Sequence, residues 1–341
     1  MLTAHLILLA LSFVVILLGS ELFTNGVEWA GERFGLAEAA VGSLLAAVGT
    51  ALPETFIPAI ALFMSRGHPG PHSAVGIGAI VGAPLMLSTV ALLVMGVAAL
   101  VFRGRRKRIG VTVVREDARR DLGFFLPIFV AVVLLGGLVD LGPILRRMSA
   151  ILLLFLYVFY AWTMLQIGRS AEAEVEHGLY FERLFRGSPD APRLWPTVAQ
   201  VLAGTAAILF GARTFVDEIV LFSAHAGIAP GVLSLILSPL ATELPEKYNS
   251  VIWIRQRKDH LALGNITGAM VFQSCIPVAL GLAYTPWHLG APELLAGGVT
   301  IVSSALLYAN LRDSKLTMPA LMLGGVAYAV FIAGLAWMGT L

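Results

Sequence analysis

The sequence predicts an all-α membrane protein: ten transmembrane helices in two inverted-topology five-helix repeats, with broken helices at the midplane. Three observations carry this. Of 341 residues, 58% are hydrophobic and 13% charged, and the mean hydropathy of +0.85 places most of the chain in lipid. Apolar runs long enough to cross a bilayer, about 20 residues each, recur along its whole length. A tripeptide carrying a carboxylate, Leu52-Pro53-Glu54, returns as Leu244-Pro245-Glu246 inside a second apolar run.

The first run, near 3–30, has no basic segment ahead of it and continues into Glu21 and Glu28, so it reads as a retained helix rather than a cleaved signal. The second, near 37–63, holds the first tripeptide. The third, near 73–102, carries Gly76, Gly78 and Gly82 at the spacing that lets helices pack closely. The basic stretch 103–120 behind it reads as a topology determinant. The fourth and fifth runs lie near 122–139 and 148–168. Residues 169–194, with Glu172, Glu174, Glu176, Arg183, Pro189 and Pro192, are polar and read as a linker. The remaining runs lie near 195–222, 229–254, 261–284, 289–310 and 317–339. The expected organisation is a first repeat at 1–168, a cytoplasmic linker at 169–194 and a second repeat at 195–341.

Charge sets the expected orientation. With ten spans, the connections that follow odd-numbered helices share one face, and most of the 23 Lys and Arg fall there, including Arg103, Arg105, Arg106, Lys107, Arg255, Arg257 and Lys258. In the opposite connections only Arg66, Arg146 and Arg147 are basic. Basic loops stay in the cytoplasm, so both termini are expected outside a plasma or inner membrane. The single cysteine, Cys275, excludes an intrachain disulfide and a thiolate metal cluster. The histidines (His5, His68, His72, His177, His225, His260, His288) have no ligand spacing, and no phosphate-binding loop or nucleophile triad suggests an enzyme.

The repeat extends beyond the tripeptide. Gly19, Gly35, Thr50, Leu52, Pro53 and Glu54 match Gly211, Gly227, Thr242, Leu244, Pro245 and Glu246 at a constant offset of 192 residues. Gly78 to Ala83 matches Gly264 to Ala269 at an offset of 186. Five spans per copy is an odd number, so the two copies must be inverted relative to each other, an architecture of secondary transporters. A carboxylate at membrane depth costs at least ~2.5 kcal/mol on insertion scales, and the neighbouring proline frees backbone carbonyls. Carboxylate plus free carbonyls is a cation site.

The segments Gly49-Thr50-Ala51-Leu52-Pro53-Glu54 and Ala241-Thr242-Glu243-Leu244-Pro245-Glu246 resemble the G-T-S-L-P-E motif of the sodium/calcium exchangers, within the cation/calcium antiporter superfamily. Gly264-Asn265-Ile266-Thr267-Gly268-Ala269-Met270 is similar to that family's G-N-x-x-G-S-N block, and Gly78-Ala79-Ile80-Val81-Gly82-Ala83-Pro84 more weakly so. The resemblance implies that the second, third, seventh and eighth helices form a core around the ion, past which the first and sixth slide. It implies Glu54 and Glu246 as cation-binding carboxylates, with the backbone carbonyls of Thr50 and Thr242 completing a calcium site. The chemistry agrees, since calcium takes about 6–8 oxygen ligands from carboxylates and carbonyls. Two facing acids repel, and a cation or proton between them relieves the repulsion.

Departures from the family pattern fall at its sodium ligands. The motif serine is Ala51 in one copy and Glu243 in the other; the serine of the following block is Ala83 and Ala269; the polar residue four positions on is Leu87 and Gln273. Alanine and leucine offer no side-chain oxygen, which weighs against three-sodium coupling. Glu243 and Lys247 stand in the acid-first i,i+4 order of a helical ion pair. Either Lys247 replaces one sodium or Glu243 carries a proton, and both move coupling toward protons. The alternative is that Lys247 packs away from the site. Glu21 matches Arg213 at the 192 offset, so the two are candidates for a gate between the first and sixth helices. Asp217, Glu218 and His225 are candidates for a cation funnel, and Gln273, Ser238 and Asn265 for neutral lining of the site.

The expected function is a secondary active antiporter that exchanges a divalent cation, Ca2+ first, for H+ or Na+ by alternating access. Its partners are inorganic cations and the lipid bilayer; no cofactor, nucleic acid or obligate protein partner is expected. A cation channel and a non-transporting cation sensor are the alternatives. The broken inverted repeat weighs against a channel, and the missing sodium ligands leave a sensor open.

Overall fold

The computed structural model describes residues 2–33, 46–107, 110–138, 140, 142–166, 178–184, 193–311 and 315–341. Helix α1 (Leu2–Arg33) is followed by α2 (Ala46–Ser65). A long third helix has three parts: α3 (Pro71–Met86), a π-helical turn (Leu87–Ala91) and α4 (Leu92–Val101). A short α5 (Arg103–Arg106) and strand β1 (Val111–Thr112) lead to α6 (Arg115–Leu138) and α7 (Pro143–Gln166). Next come a short α8 (Tyr180–Leu184), then α9 (Leu194–Ala226), α10 (Pro230–Thr242), α11 (Leu244–Arg255) and α12 (Asp259–Tyr284). The chain ends with α13 (Ala291–Asn310), strand β2 (Lys315–Leu316) and α14 (Met318–Trp337).

Among the described residues, eight helices are long and apolar enough to cross a membrane, where ten were expected. Two further apolar helices are shorter in their described residues: Glu54–Ser65, the part of α2 whose side chains are described, and Pro230–Thr242, which ends just before the second tripeptide. The second is short because the chain leaves the helix at Glu243 (φ −96°, ψ 9°) before α11 begins. Pro245 lacks the N–H that would bond the Ala241 carbonyl, so the break exposes an acceptor. The expected break in the first copy does not occur: α2 runs as one helix through Pro53. An interior proline costs a ladder bond and crowds the carbonyl four residues back, and at Pro53 the helix absorbs that cost without opening. Residues 34–45, which hold Gly35 and the start of the expected second span, lie outside the described residues, as do linker residues 169–177 and 185–192.

The interruption in the first half lies instead one helix later. Leu87 shares its N–H between the Ala83 and Pro84 carbonyls at the start of the π turn. The π turn follows Pro84, whose missing N–H loosens the ladder there. Its displaced carbonyls find partners across the helix interface. Ser303 Oγ on α13 donates to the Ser88 carbonyl at 2.6 Å. Gly324 on α14 lets the Thr89 carbonyl approach so closely that a Cβ there would stand 2.3 Å from it.

Small residues set the helix registry. Gly19 and Gly26 of α1 meet Ile208 and Val201 of α9, and Gly204 and Gly211 of α9 meet Phe23 and Ile16 of α1, which makes the pair antiparallel. In α3, a Cβ at Gly78 would stand 2.3 Å from the Gly231 carbonyl oxygen of α10, and one at Gly82 2.3 Å from that of Leu235. These two contacts bring the α3 and α10 backbones together beside the tripeptide break. Gly82→Ala is therefore expected to destabilise the protein by about 1–3 kcal/mol through overpacking. A melting temperature in detergent equal to wild type would remove this packing role.

One end of the bundle gathers the basic loops. β1 pairs antiparallel with β2, and Arg106 Nη2 meets Asp259 Oδ2 at 2.5 Å in a buried pair that also accepts the Thr112 N–H at 2.9 Å. At the other end, the Leu289 N–H bonds the Gly136 carbonyl and Arg146 donates to the Thr285 carbonyl. The outward face of α7 leaves Ile151, Leu152, Phe155, Val158, Phe159 and Trp162 exposed, as a helix against lipid does.

Candidate cation-binding site

The break between α10 and α11 lies where five polar side chains are buried together. Glu243, at the break, and Glu246 and Lys247, in the first turn of α11, are at most 6% exposed. Gln273 on α12 is fully buried and Glu54 on α2 is 5% exposed. Gln273 Nε2 donates to Glu54 Oε2 at 2.5 Å and, more weakly, to Glu243 Oε1 at 3.4 Å. Lys247 Nζ donates to Glu243 Oε2 at 3.0 Å. The sequence-predicted i,i+4 pair is thus formed, and the reading in which Lys247 turns away is not what the structure contains.

Charge then decides what the site can hold. Glu246 and Glu243 lie within electrostatic range of Glu54, and Lys247 is the ammonium facing them. Three carboxylates against one ammonium leave a surplus of two negative charges when all are ionised. Lys247 is committed to Glu243, so the surplus rests on Glu54 and Glu246. Three oxygen acceptors in this group are buried with no hydrogen-bond partner: Glu54 Oε1, Glu246 Oε2 and Gln273 Oε1. Ser250 Oγ, one turn after Glu246 on α11, is likewise buried without a partner. Unsatisfied buried acceptors are costly, and a divalent cation satisfies them. Among the described residues, no three His, Cys, Asp or Glu side chains are grouped closely enough to hold a metal by themselves. A donor set of two carboxylates supplemented by amide, hydroxyl and backbone oxygens would suit a hard cation such as calcium rather than zinc.

The other residues singled out from the sequence have mixed fates. Thr242 is buried at the end of α10, and its hydroxyl donates to the Ser238 carbonyl at 3.2 Å, which leaves its own carbonyl at the break. At Thr50 and Ala51 the backbone is helical, and their side chains lie outside the described residues. Ala83 is buried and Ala269 half-buried, without oxygens to offer. Leu87 opens the π turn. Ser238 bonds Ser234, which in turn holds the Val75 carbonyl of α3 at 2.6 Å, so it serves helix packing. Asn265 is half-buried, with its Nδ2 unpartnered.

Glu21 and Arg213 do not pair. The antiparallel packing of α1 on α9 puts Glu21 opposite Ala206 and Arg213 opposite Val14, about seven residues or ~10 Å apart along the axis. Glu21 instead accepts from the Tyr180 hydroxyl of α8 at 2.7 Å. Burial and that bond push the Tyr180 phenol up to about 12. Asp217 and Glu218 do not stand free as a funnel either: Glu218 bonds His5 at 2.7 Å and Asp217 lies 3.6 Å from His72. A buried carboxylate that the sequence reading passed over is Asp121 of α6, which accepts from Tyr160 at 3.0 Å and Thr267 at 2.6 Å. Its only signal was an acid at the boundary between the basic loop and the apolar run that follows it.

The sequence profile described as sodium/calcium exchanger protein matches residues 4–166 and 197–338. The chain belongs to the sodium/calcium exchanger family. It is similar to the inner membrane protein YrbG of Escherichia coli (strain K12), with 24% identity over 314 residues, covering 89% of this chain and 88% of that one. The fold is that of two solved structures. The H+/Ca2+ exchanger CAX superposes with a TM-score of 0.77 at 18% identity, over 97% of this chain and 82% of that one. The sodium-calcium exchanger NCX_Mj superposes with a TM-score of 0.61 at 21% identity, over 98% and 99%. This family member is accordingly a multi-helix membrane transporter of the antiporter type, and its carboxylate centre lies within its matched segments.

Proposed function

We propose that the protein is a secondary active antiporter that moves a divalent cation, calcium by its ligand chemistry, in exchange for protons or sodium by alternating access. The observation that carries this reading is that Glu54 Oε1, Glu246 Oε2 and Gln273 Oε1 are buried without hydrogen-bond partners in one polar cluster, whose charge surplus is two when its carboxylates are ionised. The carbonyls of Ala241 and Thr242 at the break would supply further oxygens toward a calcium shell of about 6–8, and that of Thr50, in the unbroken α2, would join them only if this helix opened. The match of one family profile to two segments supports two five-helix repeats, at 1–168 and 195–341, joined by the linker 169–194. On this reading α2 and the broken pair α10–α11 complete ten spans, inverted between halves. The basic loops then face the cytoplasm and both termini face out.

Protons are the favoured counter-ion. Ala51, Ala83, Leu87 and Ala269 contribute no side-chain oxygen for sodium, while Lys247 already places a fixed monovalent charge beside the site. Calcium uptake into proteoliposomes is expected under an imposed outward proton gradient, with an outward sodium gradient adding little. Uptake driven by sodium alone would reverse the counter-ion assignment. No uptake under either gradient, with calcium still bound, would replace the antiporter with a sensor.

A further inference from the structure

The end of the molecule away from the basic loops carries few cations, yet three guanidinium groups gather there around the end of α2. Arg66 lines two adjoining hollows. One, of about 360 Å³, lies between the ends of α2 and α12 and the start of α7, with Arg146, Phe63 and Tyr284 in its wall. The other, of about 530 Å³, lies between α2 and α9, with Phe63, Leu209 and Arg213. Among the described residues no carboxylate pairs with Arg66, Arg146 or Arg213. Arg146 spends one donor on the Thr285 carbonyl, and its Nε is buried without a partner.

Two further observations point to a ligand. Arg66 adopts a left-handed backbone (φ 52°) beside Gly67 (φ 76°), a conformation that an arginine takes at a cost. A strained, unpaired cation is the kind of outlier that marks a binding position. The hollows are also apolar on their outward side: Phe63 is 59% exposed, Tyr284 42% and Leu209 40%. Arg213 lies exposed inside an apolar span, where a guanidinium is favoured by a polar or anionic group beside it. A soluble anion would not need that apolar wall, whereas a lipid uses both parts.

We infer that these hollows bind an anionic phospholipid, its phosphate bridged by Arg66 to Arg146 and Arg213 and its acyl chains lying along Phe63 and Leu209. Guanidinium forks match phosphate oxygens. The site is separate from the carboxylate centre and does not depend on which cation is transported.

The test is native mass spectrometry and thermal unfolding of the full chain in detergent, with phosphatidylglycerol or phosphatidylcholine added. Wild type is expected to retain phosphatidylglycerol selectively and to melt at a higher temperature with it. Arg146→Gln and Arg213→Gln are each expected to weaken retention roughly tenfold. The double variant Arg66→Asn/Arg146→Gln, in which asparagine tolerates the left-handed backbone, should abolish it. Equal retention in all variants, or equal retention of phosphatidylcholine, overturns the proposal. Displacement of the lipid by millimolar inorganic phosphate would assign the guanidinium groups to a free anion instead. Size-exclusion profiles matching wild type keep a loss of retention from being a loss of fold, and the single variants carry the test if the double variant aggregates.

Discussion

Glu54→Gln and Glu246→Gln are each expected to lower calcium affinity and calcium uptake by at least about a hundredfold, the equivalent of ~2.8 kcal/mol. Each change keeps the side-chain volume and one oxygen but removes half of the uncompensated charge at the centre. The two are not expected to differ much, because each glutamate contributes one of the two unpartnered carboxylate oxygens. Isothermal titration in detergent separates binding from transport, and proteoliposome uptake reads the full cycle. Asp121→Asn is the comparison: that carboxylate is already held by Tyr160 and Thr267, so calcium affinity should stay near wild type. Wild-type calcium transport in both glutamine variants would remove Glu54 and Glu246 from the site.

Lys247→Met is expected to produce the largest loss of stability of any single substitution at the centre. It leaves Glu243, with no exposed surface, facing Glu54 and Glu246 without its ammonium partner. Breaking a buried pair in this way costs about 3–5 kcal/mol, whereas replacing both partners by neutral groups is near neutral. The double variant Glu243→Gln/Lys247→Met should therefore melt close to wild type while the single variant melts well below it. Coupling supplies an independent readout. If Lys247 stands in for a monovalent counter-ion, the double variant should gain a sodium dependence of calcium uptake that wild type lacks. A single variant as stable as wild type, with unchanged counter-ion dependence, would show that the pair neither supports the fold nor sets the coupling.

Much of the centre was legible in the sequence because its signals are local. A proline next to a glutamate in an apolar run states both a helix disturbance and a charge at depth, whatever the surroundings. The four-residue spacing of Glu243 and Lys247 places them on one helix face before any tertiary contact is known, and the structure forms that pair at 3.0 Å. Gln273 was visible as the polar counterpart of Leu87. Its role as the donor joining Glu54 to Glu243 was not, since that depends on how α12 is set against α2 and the break.

The failures are equally specific. Glu21 and Arg213 occupy matching positions in the repeat, but repeat equivalence is a relation along the sequence. Antiparallel helices in contact pair residues whose numbers sum to a constant, so equivalent positions meet only near the crossing point. The break expected at Pro53 was also misplaced, because a proline weakens a helix locally without by itself fixing where it opens. Whether the helix opens depends on what donates to, or makes room for, the displaced carbonyls. In the first half Ser303 donates to one and Gly324 leaves room for another, both far along the chain and both beside the π turn rather than beside Pro53.

The sequence by itself determined the membrane setting and the family, and it singled out the repeated tripeptide and its two glutamates as the proposed site, since hydropathy, motif spacing and charge at depth are properties of short segments. Tertiary structure alone decided which polar groups meet: Gln273 with Glu54, Tyr180 with Glu21, Asp121 with Thr267, and three arginines around one pair of hollows. The physical reason is helix registry. It is set by backbone contacts at Gly19, Gly78, Gly82 and Gly204 between segments distant in the chain, and a shift of one turn, about 5.4 Å, would give every one of those side chains a different partner.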